Sequence, residues 1–130
     1  VGWGEEMSDK KYKVLIVEDE KYITRILKSR LYKLGYEVIG AVDTGEKVIE
    51  IVKNNKPDLV MMDIILKSKK DGIQTARDIK KISEIPIIFI TGCCKDDFID
   101  RIKDILQVKY LIKPFRKIEL YKTIKSVLGK

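Results

Sequence analysis

The chain has 130 residues, 45% of them hydrophobic and 36% charged, and 27 Lys and Arg against 20 Asp and Glu give a net charge of +7. One domain of this size buries roughly 65–70% of the surface its unfolded chain exposes, so its core needs no disulfide or structural metal. No apolar run nears the ~18–20 residues of a membrane span, adjacent Cys93 and Cys94 make no disulfide framework, and the absence of histidine removes Ser-His-Asp and Cys-His hydrolases and phosphohistidine carriers.

Residues 1–10 read as an N-terminal tail and residues 11–130 as the domain. Val1-Gly2-Trp3-Gly4-Glu5-Glu6 lacks the basic-then-apolar build of a signal peptide, and Met7 is a natural start, so a cytoplasmic protein is expected. Lys13 to Val17 is an apolar run of strand length that leads into Glu18 and Asp19. From Glu20 to Leu34, Ile23, Ile26, Leu27, Leu31 and Leu34 recur at helical spacing, and Gly35 follows as a stop. Tyr36 to Ala41 is a second strand, and Asp43 and Thr44 are cap candidates for a helix carrying Val48, Ile51 and Val52 inward as far as Asn54-Asn55.

The stretch around which the chain is organised comes next. Asp58-Leu59-Val60-Met61-Met62-Asp63 reads as a strand buried on both faces, with Asp63 at its C-terminal end. A loop then leads to a helix from about Ile73 to Ile82. Ile85 to Thr91 is the fourth strand, with Pro86 tolerated at its start. A helix with Phe98, Ile99, Ile102, Ile105 and Leu106 precedes the fifth strand, Val108 to Ile112, which ends in Lys113-Pro114. The last helix, about Arg116 to Leu128, turns Leu120, Tyr121, Ile124 and Val127 inward. Strands alternating with helices predict an α/β fold, a parallel sheet with right-handed crossovers and helices on both faces.

In such a sheet the functional crevice lies outside the carboxyl ends of the strands. Glu18, Asp19, Asp63, Thr91 and Lys113 all arrive at that edge. Each has a plainer reading as a strand end, turn or cap, but four strands of five ending in complementary chemistry is hard to assign to caps alone. Three carboxylates, a hydroxyl and an ammonium suit magnesium-dependent phosphoryl transfer, because Mg²⁺ takes hard oxygen ligands. A carboxylate can itself be the nucleophile, while Thr91 and Lys113 can stabilise phosphoryl oxygens.

Glu18-Asp19, Asp63, Thr91-Gly92, Tyr110 and Lys113-Pro114-Phe115, in this order and spacing, resemble the receiver domain of two-component response regulators. The resemblance runs from about Lys11 to Lys130. It implies a flavodoxin-like (βα)5 three-layer sandwich with strand order 2-1-3-4-5, and phosphorylation of Asp63 by a sensor histidine kinase. It further implies that Asp19, Asp63 and the backbone carbonyl of Ile65 ligate Mg²⁺ with Glu18 reaching it through water, that Thr91 and Lys113 bind the phosphoryl group, and that Tyr110 turns inward as Thr91 moves. The Lys113-Pro114 peptide is expected to be cis. Self-phosphorylation and self-dephosphorylation would be the only chemistry, so the chain would be no enzyme in the ordinary sense.

The chain departs from the family pattern in two places. Leu66-Lys67-Ser68-Lys69-Lys70 replaces a shorter segment with a proline, which predicts a more mobile and unusually basic loop. Ile65 and Cys93 occupy positions that tune dephosphorylation in the family, and apolar Ile65 predicts slow self-hydrolysis. Output is expected from the face formed by the fourth predicted helix, the fifth strand and the fifth predicted helix, by contact with a downstream protein or by homodimerisation. With no second domain after Lys130, a stand-alone receiver is the expectation.

Other readings are weaker. The lysines are spread along the chain without interleaved aromatics, which argues against a nucleic-acid surface. A haloacid dehalogenase type of phosphatase would want an Asp where Ile65 stands. Gly40 to Gly45 has two P-loop glycines, but Glu46-Lys47 stands where Lys-Ser/Thr is required. A degenerate receiver that binds partners without phosphorylation remains the alternative, against which the intact residue set argues.

Overall fold

The computed structural model describes residues 11–66, 71–92, 100–105 and 108–129. Within them lie β1 (Lys13–Val17), α1 (Lys21–Lys33), β2 (Glu37–Val42), a short 3-10 turn (Gly45–Lys47) running into α2 (Val48–Asn55), β3 (Leu59–Asp63), α3 (Gly72–Ile82), β4 (Ile87–Thr91), β5 (Val108–Ile112) and α4 (Lys117–Leu128). Residues 100–102 are helical as well. The expected tail 1–10, the basic loop 67–70, Cys93, Cys94, Phe98, Ile99 and Leu106 lie outside the described residues.

The five strands form one parallel sheet in the order β2-β1-β3-β4-β5. This is the predicted flavodoxin-like order, and the apolar pattern shows why it forms. Alternate residues of a strand face opposite sides, and the central strands have apolar side chains at both parities. Leu15, Val17, Val60, Met62, Ile87 and Phe89 pack against α2, α3 and Ile102 and Ile105 on one face. Val14, Ile16, Leu59, Met61, Ile88 and Ile90 pack against α1 and α4 on the other. Every residue of β3 and β4 is buried, whereas β2 and β5 are edge strands with exposed positions.

The bounds of α1, α3 and α4 fall within a residue of expectation, and α2 ends at Asn55 as expected. Glu20 and Leu34 are the caps of α1 rather than its ends, and Gly35 leaves the helix at φ +91°, a backbone region that glycine enters without strain. Leu120 and Ile124 are buried on α4, while Tyr121 and Val127 are half-buried. One local expectation is corrected. Neither Asp43 nor Thr44 caps the helix that follows, since Thr44 makes no capping bond and Asp43 instead pairs with Lys47 at 3.0 Å.

Two glycines mark close approaches. A Cβ at Gly72 would stand 2.1 Å from the Asp63 carbonyl oxygen, and the Gly72 N–H donates to the Ile64 carbonyl at 2.7 Å. The start of α3 is thereby seated on the end of β3. A Cβ at Gly45 would stand 2.2 Å from Thr75 Oγ1, so this glycine serves packing rather than phosphate binding.

Candidate functional site

Parallel strands end together, and the residues just past those ends share one edge. Glu18 and Asp19 follow β1, and Asp63 closes β3, paired with Ile90 of β4. Thr91 closes β4 opposite Ile112, so Lys113 follows immediately, and the Lys113 N–H donates to the Thr91 carbonyl at 2.7 Å. The peptide between Lys113 and Pro114 is cis, as expected.

Lys113 is the hub. Its Nζ lies 3.0 Å from Glu18 Oε1, 3.6 Å from Asp63 Oδ2 and 3.7 Å from Glu20 Oε1. Asp63 Oδ1 accepts a hydrogen bond from the Ile65 N–H at 3.2 Å, and Glu18 Oε2 accepts one from the Glu20 N–H at 3.1 Å. Glu18, Asp63 and Thr91 are buried, Asp19 is half-buried and Glu20 is exposed. The site therefore runs from a dry floor to an open mouth.

So much negative charge in so little water alters the titration of its members. Burial, with a smaller push from the Asp63 charge, raises the Glu18 carboxyl to about 7, against the hydrogen bonds from the Glu20 backbone and Lys113 and the Lys113 charge, which favour its charged form. Burial also raises Asp63, and the Lys113 charge offsets part of that rise. For Lys113 burial works the other way, but its hydrogen bond to Glu18 and the charges of Asp63, Glu18 and Glu20 outweigh it and hold the ammonium above its usual range.

One ammonium does not neutralise four acids. Carboxylate oxygens of Glu18, Asp19, Glu20 and Asp63 lie within 4.8 Å of one another, a set of hard oxygen donors that could hold a metal ion. The residues present thus fit a small divalent cation. Glu20 belongs to this group although the sequence reading placed it only at a helix start. Its signal was the unbroken run Glu18-Asp19-Glu20.

The other candidates lie around this centre. The Ile65 side chain is 62% exposed, and its N–H is the group that meets Asp63. Tyr110 pairs with Phe89 two residues before the strand end and is 41% exposed, outside the acid cluster. Asp71 was not singled out from sequence. It caps α3 by accepting from the Gln74 N–H at 2.8 Å while Gln74 Oε1 accepts from the Asp71 N–H, and its other oxygen meets Arg101 at 2.9 Å. The Asp-x-x-Gln spacing was the available signal for that cap.

A doubly wound parallel sheet with an acidic, lysine-bridged centre at its carboxyl edge defines the class: a flavodoxin-like α/β protein whose acid cluster could hold a metal ion. The chain belongs to the response regulator receiver domain family, whose model matches residues 14–125. The Probable transcriptional regulator ycf27 of Porphyridium aerugineum is 40% identical over 120 residues, covering 91% of this chain and 48% of that protein. The crystal structure of the signal receiver domain of a modulated diguanylate cyclase from Desulfovibrio desulfuricans G20 is similar at 32% identity and a TM-score of 0.85, covering 92% of this chain and 95% of that one. A two-component response regulator from Clostridium difficile is similar at 30% identity and a TM-score of 0.83, covering 92% and 98%. The chain spans about half the length of the curated relatives it matches, from 48% to 57% among the first of them. Among the described residues no helix is long and apolar enough to cross a membrane.

Proposed function

We propose that this receiver accepts a phosphoryl group on Asp63 from the phosphohistidine of a sensor histidine kinase, in a Mg²⁺-dependent reaction in the cytoplasm, and so switches a surface read by a downstream protein. The observation that carries this reading is the position of the Asp63 carboxylate. It is buried at a strand end, held at one oxygen by the Ile65 N–H and faced at the other by the Lys113 ammonium. A carboxylate so oriented can attack phosphorus.

Glu18, Asp19, Asp63 and the Ile65 carbonyl would hold Mg²⁺, and Glu20 stands close enough to join them. When bound, the ion supplies positive charge to phosphoryl oxygens in a site otherwise dominated by acids. Lys113 then has two roles. In the resting site it is engaged by Glu18, and after transfer it can turn to the new phosphoryl oxygens. The buried Thr91 at the adjacent strand end supplies a hydroxyl to the same group. The chain's own chemistry is limited to gaining and losing this phosphoryl group.

Phosphorylation adds about −1.5 to −2 charge, and the contacts it makes with Lys113 and Thr91 favour one arrangement of the surrounding loops over another. The readout surface is the one formed by residues 100–105, β5 and α4. In support, Tyr110, Ile112 and Ile118 are large apolar side chains exposed at 41%, 41% and 47%. Such a surface suits a downstream protein or a second copy of the chain. Tyr110, in register with the strand that carries Thr91, is the side chain through which the loop change reaches it.

Intact mass before and after incubation with acetyl phosphate, with and without Mg²⁺, alongside Asp63→Asn, tests the proposal. A Mg²⁺-dependent gain of one phosphoryl group that the variant lacks is expected. No adduct under any condition would leave a receiver that binds partners without phosphorylation.

A further inference from the structure

A cleft of about 600 Å³ opens between α1 and β2, its inner end lined by Glu18 and Asp19 of the acid cluster. Its outer wall is a stripe of cations on α1. Lys21, Arg25 and Lys28 stand at i, i+4 and i+7, one face of the helix, and all are exposed. Lys47 of the 3-10 turn lines the cleft as well, tied to Asp43 at 3.0 Å. Ala41 and Val42 of β2 add an apolar surface between these charges.

The cleft carries four cations against the carboxylates of Glu18, Asp19 and Asp43, and Asp43 is engaged by Lys47 with a smaller pull from Lys21. Among the described residues no carboxylate is in ion-pair contact with Lys21, Arg25 or Lys28, whereas the acids at the inner end are either engaged by Lys113 or gathered into the metal-competent cluster. Like charges four residues apart on a helix destabilise it slightly, so the stripe costs the helix something unless an anion covers it. Lys117 and Lys122 on α4 are equally without ion-pair partners but line no cleft described here. Concavity is what separates the two sets. A cleft of this volume, with an apolar surface and convergent cations, has the dimensions and chemistry of a small-molecule site rather than of a flat protein interface.

We propose that the cleft between α1 and β2 binds a phosphate-bearing small molecule of nucleotide size, its phosphates held by Lys21, Arg25 and Lys28 and its less polar part laid on Ala41 and Val42. The phosphates seat on the outer wall because Glu18 and Asp19 at the inner end repel a second anion. A molecule seated there lies across the mouth of the acid cluster and makes donor access depend on a soluble ligand.

The test is a ¹⁵N chemical-shift titration of the full chain with inorganic pyrophosphate and with ADP, in EDTA and at constant ionic strength. One saturable site is expected for each, with shifts at Arg25, Lys28, Ala41 and Val42. The double variant Arg25→Gln, Lys28→Gln weakens binding by about tenfold or more, the loss of two charge-assisted contacts, and Lys117→Gln, Lys122→Gln leaves it unchanged. Asp63→Asn, which keeps every lining residue, still shows one saturable site, so the outcome is independent of whether Asp63 is the phosphoacceptor. Linear, unsaturated shifts or equal weakening by the α4 variant would overturn the proposal. Binding of an acidic peptide at the stripe while pyrophosphate and ADP have no effect would overturn it too, and would make the stripe a protein-docking surface.

Discussion

The Lys113 ammonium and the Glu18 carboxyl, ninety-five residues apart in the chain, meet at 3.0 Å with the Glu18 side chain fully buried. This contact ties the loop after β5 to the end of β1. It also places a cation where Asp63 feels it at 3.6 Å.

Removing that cation strands two neighbouring acids. Lys113→Ala is expected to destabilise the metal-free protein by about 1–3 kcal/mol at pH 8, and by less at pH 6, where Glu18 takes up a proton. Urea unfolding in EDTA at the two pH values measures this, and an equal loss at both would count against the pair as its source.

The pH dependence of the wild-type chain has a definite sign. Glu18 titrates at about 7 in the folded state against an ordinary 4.5, and Asp63 is also raised. The folded state therefore holds protons that the unfolded chain has released. The stability these groups contribute is full below their unfolded values, near pH 4, and is lost as pH rises through about 7. In EDTA the Tm is expected to fall between pH 5.5 and 8. If Mg²⁺ binds at this cluster as proposed it would displace the Glu18 proton, and the Tm gain from a fixed Mg²⁺ concentration is then expected to grow over the same interval. A gain independent of pH would show that Glu18 does not take part.

Ile65 lies two residues beyond Asp63 with an exposed apolar side chain, which gives no hydrogen bond to a water attacking the aspartyl phosphate. The wild-type phosphoryl lifetime is therefore expected to exceed that of Ile65→Asn severalfold. Loss of the phosphorylated mass after donor removal gives both half-lives, and a shorter one for the wild type would contradict the assignment.

Gly72 carries the seat of α3 on β3. Its replacement by Ala puts a methyl group 2.1 Å from the Asp63 carbonyl oxygen and 2.9 Å from Ile64 Cα, both backbone atoms that cannot swing aside. An overpacking cost of about 1–3 kcal/mol is expected, with a fall in the rate of phosphorylation as Asp63 is displaced. Ala in place of exposed Gly92, where a Cβ meets nothing within 4 Å, is the control and should leave stability nearly unchanged.

The apolar runs and their carboxylate, hydroxyl and lysine endings were legible in the sequence. Patterns of period 2 and 3.6 belong to the local chain, so element type, order and parallel topology followed from them within a residue or two. Asp63, Glu18, Asp19, Thr91 and Lys113 could be named because parallel strands must deliver their ends to one edge. Side-chain partners were not legible in the same way. Asp43 and Thr44 are good cap residues by type, yet the 3-10 turn Gly45–Lys47 intervenes, Lys47 takes the cap position of α2, and Asp43 pairs with Lys47 instead. Glu20 looked like a helix start until folding brought it within 3.7 Å of Lys113. The Asp71 to Arg101 contact and the proximity of Gly45 to Thr75 join segments whose separation only the packed sheet sets. The raised Glu18 carboxyl is the clearest case. Composition says only that it is an acid; burial beside Asp63, a property of the assembled edge, decides that it holds its proton to about pH 7.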